Sequence, residues 1–106
     1  MKGTHLGEFE ELILLIVGVL AGNAYSVSVK EAVEERTNRK PSIGALHSAL
    51  NRLEEKGFIK SYSGHGTEDR GGRKKRLYDM TAEGKQALVR THDLRAGLFE
   101  LLPKLS

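Results

Sequence analysis

PSIGALHSALNRLEEKGFIKSY, residues 41–62, contains a change of hydrophobic period that decides the fold. Leu46, Ala49, Leu50 and Leu53 recur at helical spacing, with Ser42 placed to cap the start and Gly57 to stop the helix in a left-handed turn. Beyond Gly57 the spacing drops to two, and Phe58-Ile59-Lys60-Ser61-Tyr62 reads as a strand. Opposite the apolar stripe of this helix lie Gly44, His47, Ser48, Asn51 and Arg52. That face is small and polar, and nothing bulky and aliphatic obstructs close approach to another surface.

Downstream, residues 63–73 form a glycine-rich loop and Lys75 to Met80 a return strand, with Tyr78 and Met80 on one face. The loop carries Arg70 and then the run Arg73-Lys74-Lys75-Arg76 behind Gly71-Gly72. Cations packed this closely repel one another unless salt, solvent or an anionic partner screens them. A solvated loop, partly offset by Glu68 and Asp69, is the plain reading; a phosphate-binding finger is the sharper one.

Upstream, Val27 to Arg36 reads as a short helix with Val29, Ala32 and Val33 on its buried face. Ser26 or Ser28 is expected to cap it, Ser28 and Glu31 being spaced as a capping box. Thr37 to Pro41 ends it, because the residue before a proline avoids helical geometry. Two helices joined by a short turn, the second with a polar outer face, make a helix-turn-helix. Before them, Leu6 to Leu20 reads as a helix whose stripe of Phe9, Leu12, Ile13, Ile16, Val17 and Leu20 faces Leu14, Leu15 and Val19 across the wheel. A helix apolar on both sides must be covered on both, and in so short a chain the second cover is expected to be a partner.

After the hairpin, Thr81 is placed to cap a last helix from about Ala82. Ala87, Thr91, Leu94, Leu98, Leu101 and Leu105 alternate steps of four and three, a short seam that Pro103 limits. Little of the chain remains to cover it, so dimerisation is the expected use; folding back on the first helix is the alternative.

Bulk properties narrow the function. The 106 residues suffice for one modest core. Without cysteine there is neither a disulfide framework nor a thiolate metal site or nucleophile, which fits the cytoplasm. The apolar run at residues 12–20 falls short of the roughly 20 residues a membrane span needs, and acidic residues precede it where a secretion signal would be basic. No membrane association is expected. Residues 1–35 hold 2 Lys/Arg against 6 Asp/Glu, whereas residues 36–80 hold 11 against 5, a basic middle of the kind that nucleic acid attracts. The histidines at 5, 47, 65 and 92 lack metal-ligand spacing, and neither a nucleophile–base motif nor a phosphate-cradling loop is present. No enzyme activity, cofactor or metal is expected.

Helix, helix, helix, hairpin, long helix is the winged helix-turn-helix plan. LGEFEELILLIV, AYSVSVKEAVEERT, PSIGALHSALNRLEEKGFI and GGRKKRLYDMTAEGKQAL together resemble the PadR family of transcriptional regulators, over most of residues 6–89. The resemblance is to the short branch with a single C-terminal helix. It implies a mainly α fold with a small β-hairpin: a winged helix-turn-helix unit over residues 1–81 and a C-terminal dimerisation helix over 82–106. It also implies a homodimer that binds double-stranded DNA. The third helix would enter the major groove through Ser42, Gly44, His47, Ser48, Asn51 and Arg52. The wing would meet the backbone or minor groove through Arg70, Arg73, Lys74, Lys75 and Arg76. Phe9, Leu12, Ile16, Leu94, Leu98 and Leu101 would form the dimer interface. Ala45 and His47 stand where the family often has threonine and tyrosine, Ser26 where it has glycine, and Ala82 where it has proline. A repressor on an inverted repeat is the expected role, and a small-molecule effector is not indicated. The competing reading is a winged-helix module whose basic wing docks an acidic protein.

Overall fold

The computed structural model describes residues 5–64 and 75–104. The elements run α1 (Glu8–Val19), α2 (Ser26–Thr37), α3 (Ile43–Glu55), β1 (Ile59–Ser63), β2 (Arg76–Met80) and α4 (Ala82–Glu100). β1 and β2 pair antiparallel, from Ile59 opposite Met80 to Ser63 opposite Arg76. This is the mainly α winged helix-turn-helix arrangement expected from the sequence.

α1 is the centre of the core. Ile13, Leu14, Ile16 and Val17 are buried among Val29, Ala32 and Val33 of α2, Leu46, Ala49, Leu50 and Leu53 of α3, and Tyr78 of β2. Leu14, on the far side of the helical wheel, is therefore covered by the chain itself. Leu15 and Val19 are not, at 45% and 60% exposed. The apolar excess of α1 thus narrows to one outward strip.

The second helix starts differently from expectation. Tyr25, in extended geometry, is its N-cap residue, so Ser28 falls in the first turn. From there the Ser28 hydroxyl accepts from the Tyr25 N–H at 2.9 Å and donates to the Asn23 carbonyl at 2.6 Å. Ser28 therefore bonds backwards to the chain ahead of the helix. Asn38 ends α2 at φ +60°, a left-handed conformation that Asn tolerates better than most residues.

α3 begins and ends as its sequence indicates. The Ser42 hydroxyl accepts from the Ala45 N–H at 3.0 Å, and Gly57 at φ +80° turns the chain out of the helix into β1. The hairpin is then anchored at three points. Tyr78 N–H donates to the Ala24 carbonyl at 2.9 Å, Thr81 N–H to the Phe58 carbonyl at 3.0 Å, and the Thr81 hydroxyl to the Gly57 carbonyl at 2.6 Å. Thr81 also caps α4, accepting from the Gly84 N–H at 3.0 Å.

At Gly84 the first turn of α4 presses on the backbone below it. A Cβ there would stand 2.2 Å from the Phe58 carbonyl oxygen, and that backbone is itself bonded to Thr81. Gly84→Ala is accordingly expected to destabilise the protein by about 1–3 kcal/mol, the ordinary range for overpacking, measured by urea unfolding. Unchanged stability would show that α4 can shift at no cost.

Candidate nucleic-acid interface

The core stripe of α3 forces its other face outward. With Leu46, Ala49, Leu50 and Leu53 buried, Ser42, Gly44, His47, Ser48 and Asn51 all stand exposed. Arg52 is exposed as well, at the border toward α1, so the structure brings all six site residues onto the open side of α3. Ile43 joins them, half exposed in the first turn. Sequence reasoning passed it over because an isoleucine beside a cap is ordinarily core. Lys40, exposed immediately before α3, was passed over too. Its signal was simply a cation next to a helix N-terminus, where amides and charge together favour anions.

Carboxylates brace both edges of α3. On the edge toward α1, Arg52 Nε donates to Glu10 Oε2 and Lys56 Nζ to Glu10 Oε1, each at 2.6 Å. Lys56 also donates to the His5 carbonyl at 2.6 Å. On the edge toward the hairpin, Arg76 Nη2 lies 3.3 Å from Glu54 Oε1 and 2.9 Å from Ser61 Oγ, while the Ser61 hydroxyl donates to Glu54 Oε2 at 2.6 Å. Arg52, a candidate base reader by sequence, is therefore also an ion-pair partner of α1. No periodicity argument reaches a contact between residues 42 positions apart.

Of the five wing cations, Lys75 and Arg76 lie within the described residues, while Arg70, Arg73 and Lys74 lie outside them. Lys75 Nζ sits 4.2 Å from the centre of the Tyr25 ring at the start of α2, a cation–π contact. Both described cations thus root the hairpin: one to α2, the other to α3.

The α1 and α4 candidates separate. Phe9 is covered by Arg39, whose guanidinium lies 5.1 Å above the ring and whose Nη1 donates to Glu8 at 2.6 Å. Leu12 packs against the core and Ile16 is inside it. Leu94, Leu98 and Leu101 are 64%, 58% and 79% exposed, and Phe99 and Leu102 accompany them. The outward strip of α1 and the first half of α4 line a groove of about 360 Å³, with Leu15, Val19, Leu88 and Val89 as its apolar walls. Of the seam read from the sequence, Ala87 is buried in the core, Leu94, Leu98 and Leu101 are exposed, and Leu105 lies outside the described residues. On α1 the apolar residues left outward are Leu15 and Val19, since α2 and α3 cover the other stripe.

Among the described residues no cluster of three His, Asp or Glu side chains is arranged to hold a metal ion. None of the described helices is long and apolar enough to cross a membrane.

Glu10 has a pH consequence. Burial by itself would push its carboxyl upward, but hydrogen bonds from Lys56, Arg52 and the Gly7 N–H, with the charge of Lys56, outweigh burial and hold it below the ordinary glutamate value of 4.5. A carboxyl depressed in the folded state contributes stability above its unfolded pKa and loses it as pH falls through the folded one. Glu10→Gln is expected to cost about 1–3 kcal/mol at neutral pH, with the gap from the unsubstituted chain closing below pH 4.5. Urea unfolding across that range checks this, and a gap independent of pH would contradict it.

Comparison with known proteins gives this architecture a family. A sequence profile described as "Transcriptional regulator PadR-like family" matches residues 13–90. A PadR family transcription regulator from Clostridium difficile R20291 shares 27% identity, covering 90% of this chain and 94% of its own, with a TM-score of 0.73. A PadR-like transcription factor from Bacteroides fragilis superposes with a TM-score of 0.74 at 21% identity, over 87% and 84% of the two chains. A PadR-like transcriptional regulator from Bacillus cereus ATCC 14579 gives 0.69 at 18%, over 92% and 93%. No curated protein matches the sequence.

Proposed function

This chain belongs to the PadR-like family of transcriptional regulators, which are DNA-binding proteins and not enzymes, and we propose that it works as a cytoplasmic homodimeric repressor reading an inverted-repeat operator. Residues 1–81 would be the reading unit and residues 82–106 the dimerising segment, its helix α4 ending at Glu100. The observation that carries this is the open polar face of α3, held outward by a fully buried stripe and flanked by the root of a basic hairpin. A major groove about 12 Å wide admits such a helix, and Asn51 can pair bidentately with adenine. Ser42 and Lys40 at the helix start suit a phosphate. Arg70, Arg73, Lys74, Lys75 and Arg76 supply sequence-independent attraction to the backbone.

Two copies meet through α4. The exposed Leu94, Leu98 and Leu101 supply one apolar surface, and the groove edged by Leu15 and Val19 supplies another. Dimeric symmetry then requires half-sites with centres about 10 bp apart.

The test of reading is anisotropy titration against a random-sequence duplex library at two salt concentrations, with sequencing of the bound fraction. Enrichment of an inverted repeat is expected, over a background that weakens as salt rises. Arg73→Ala with Lys74→Ala should weaken binding to all sequences and flatten the log–log salt slope by up to about 2. A chain that binds no duplex at low salt would favour the acidic-protein reading instead. For assembly, light scattering is expected to give twice the 11.7 kDa of one chain, and Leu94→Glu with Leu98→Glu to return it to one. Monomer without the substitutions would overturn the role given to α4.

A further inference from the structure

The ion pair between α1 and α3 is unequal in a way that charge balance does not require. Glu10 and Lys56 side chains are 8% and 18% exposed, whereas Arg52 is 49% exposed. Lys56 alone neutralises the buried carboxylate, and adding Arg52 leaves the cluster with a net positive charge. Arg39 and Arg76 reach their carboxylates through terminal Nη atoms, but Arg52 is hydrogen-bonded to Glu10 through Nε at 2.6 Å. Arg95 also approaches Glu11 by Nε, but only to 3.6 Å. Among the described residues, the Arg52 Nη groups donate to no side chain or carbonyl.

A guanidinium held at Nε is fixed in its plane while its terminal fork stays free. That fork matches the O6 and N7 atoms of guanine, or two phosphate oxygens, in a bidentate pair. On the helical wheel, Arg52 flanks Ser48 and Asn51 on the side toward α1. The residue is thus at the border of the exposed face and tethered from behind. An arginine that is free in solution loses rotamer freedom on binding, and one already tethered loses less.

We infer that Glu10 is a positioning residue for recognition: its carboxylate holds Arg52 by Nε, so that the terminal guanidinium edge is presented to DNA already oriented. This rests on the reading of α3 as the helix that faces DNA. Glu10 touches no DNA itself, and Lys56 keeps the carboxylate ionised and in place.

Simple electrostatics and positioning act on different readouts in Glu10→Gln. Removing a negative charge near an anionic ligand should strengthen binding to all DNA, whereas releasing Arg52 should reduce discrimination. Gln offers one carbonyl oxygen to two cations and no charge. With the full chain and a random-sequence duplex library, Glu10→Gln is expected to keep or raise affinity for unselected duplex while enrichment of the preferred sequence falls roughly tenfold. Arg52→Lys keeps the charge but lacks the fork, and should lose discrimination to a similar degree. The double variant should lose little more, because the two side chains act as one unit.

Thermal unfolding of each variant confirms that it is folded, and Arg52→Lys carries the test should Glu10→Gln fold poorly. Discrimination retained in folded Glu10→Gln or in Arg52→Lys would overturn the role of Glu10. A chain without substitutions that enriches no sequence would overturn the reading of α3 itself.

Discussion

Burial of α1 on several sides at once is the constraint from which the rest follows. Ile13, Leu14 and Val17 are almost wholly inaccessible, and α2, α3, β2 and α4 all pack against this one helix. In a chain of 106 residues there is room for one such centre. Placing α1 there fixes which stripe of α3 turns inward, and so which residues turn outward. The polar face of α3 is a consequence of the core, and its position depends on side chains that never reach solvent.

Apolar packing sets the depth of α3 but leaves its edges open, and polar contacts close them. Glu10 ties the edge nearest α1, while Glu54 and Ser61 tie the edge nearest the hairpin through Arg76. The two braces differ in energetic character. The Glu10 carboxylate is buried and satisfied by two cations, so losing a partner leaves a costly group behind. The Glu54 pair is far more exposed and therefore worth little as stability, though it links the hairpin to α3. The buried brace thus lies where α3 meets α1, behind the surface assigned to DNA.

Most of the fold was legible because its signals are local. Ser42, Gly57 and Thr81 each act within a few residues of themselves, and each does in the structure what its position announces. The start of α2 was misjudged by local rules too. Ser28 bonds backwards to Tyr25 and Asn23, which a search for forward capping does not see. The candidate site was legible as a face but not as a set of contacts. That Arg52 belongs to Glu10, that Lys75 rests on Tyr25, and that Arg39 covers Phe9 are pairings of distant residues. Periodicity assigns a residue to a side of its helix and is silent on what stands opposite. The same limit explains α1: its apolar excess was visible, but only the packing of α2 and α3 showed that Leu15 and Val19 are what remains outside.

In the proposed function the outward face of α3, and not another surface, meets DNA. Amide chemical shifts of the labelled protein, followed as a duplex selected from the random library is added, test it most directly. The largest changes are expected on residues 42–52 and on the hairpin cations, with residues 94–102, the end of α4 and the turn after it, unmoved. Changes concentrated on α4 or on the outer face of α2, with α3 silent, would contradict it.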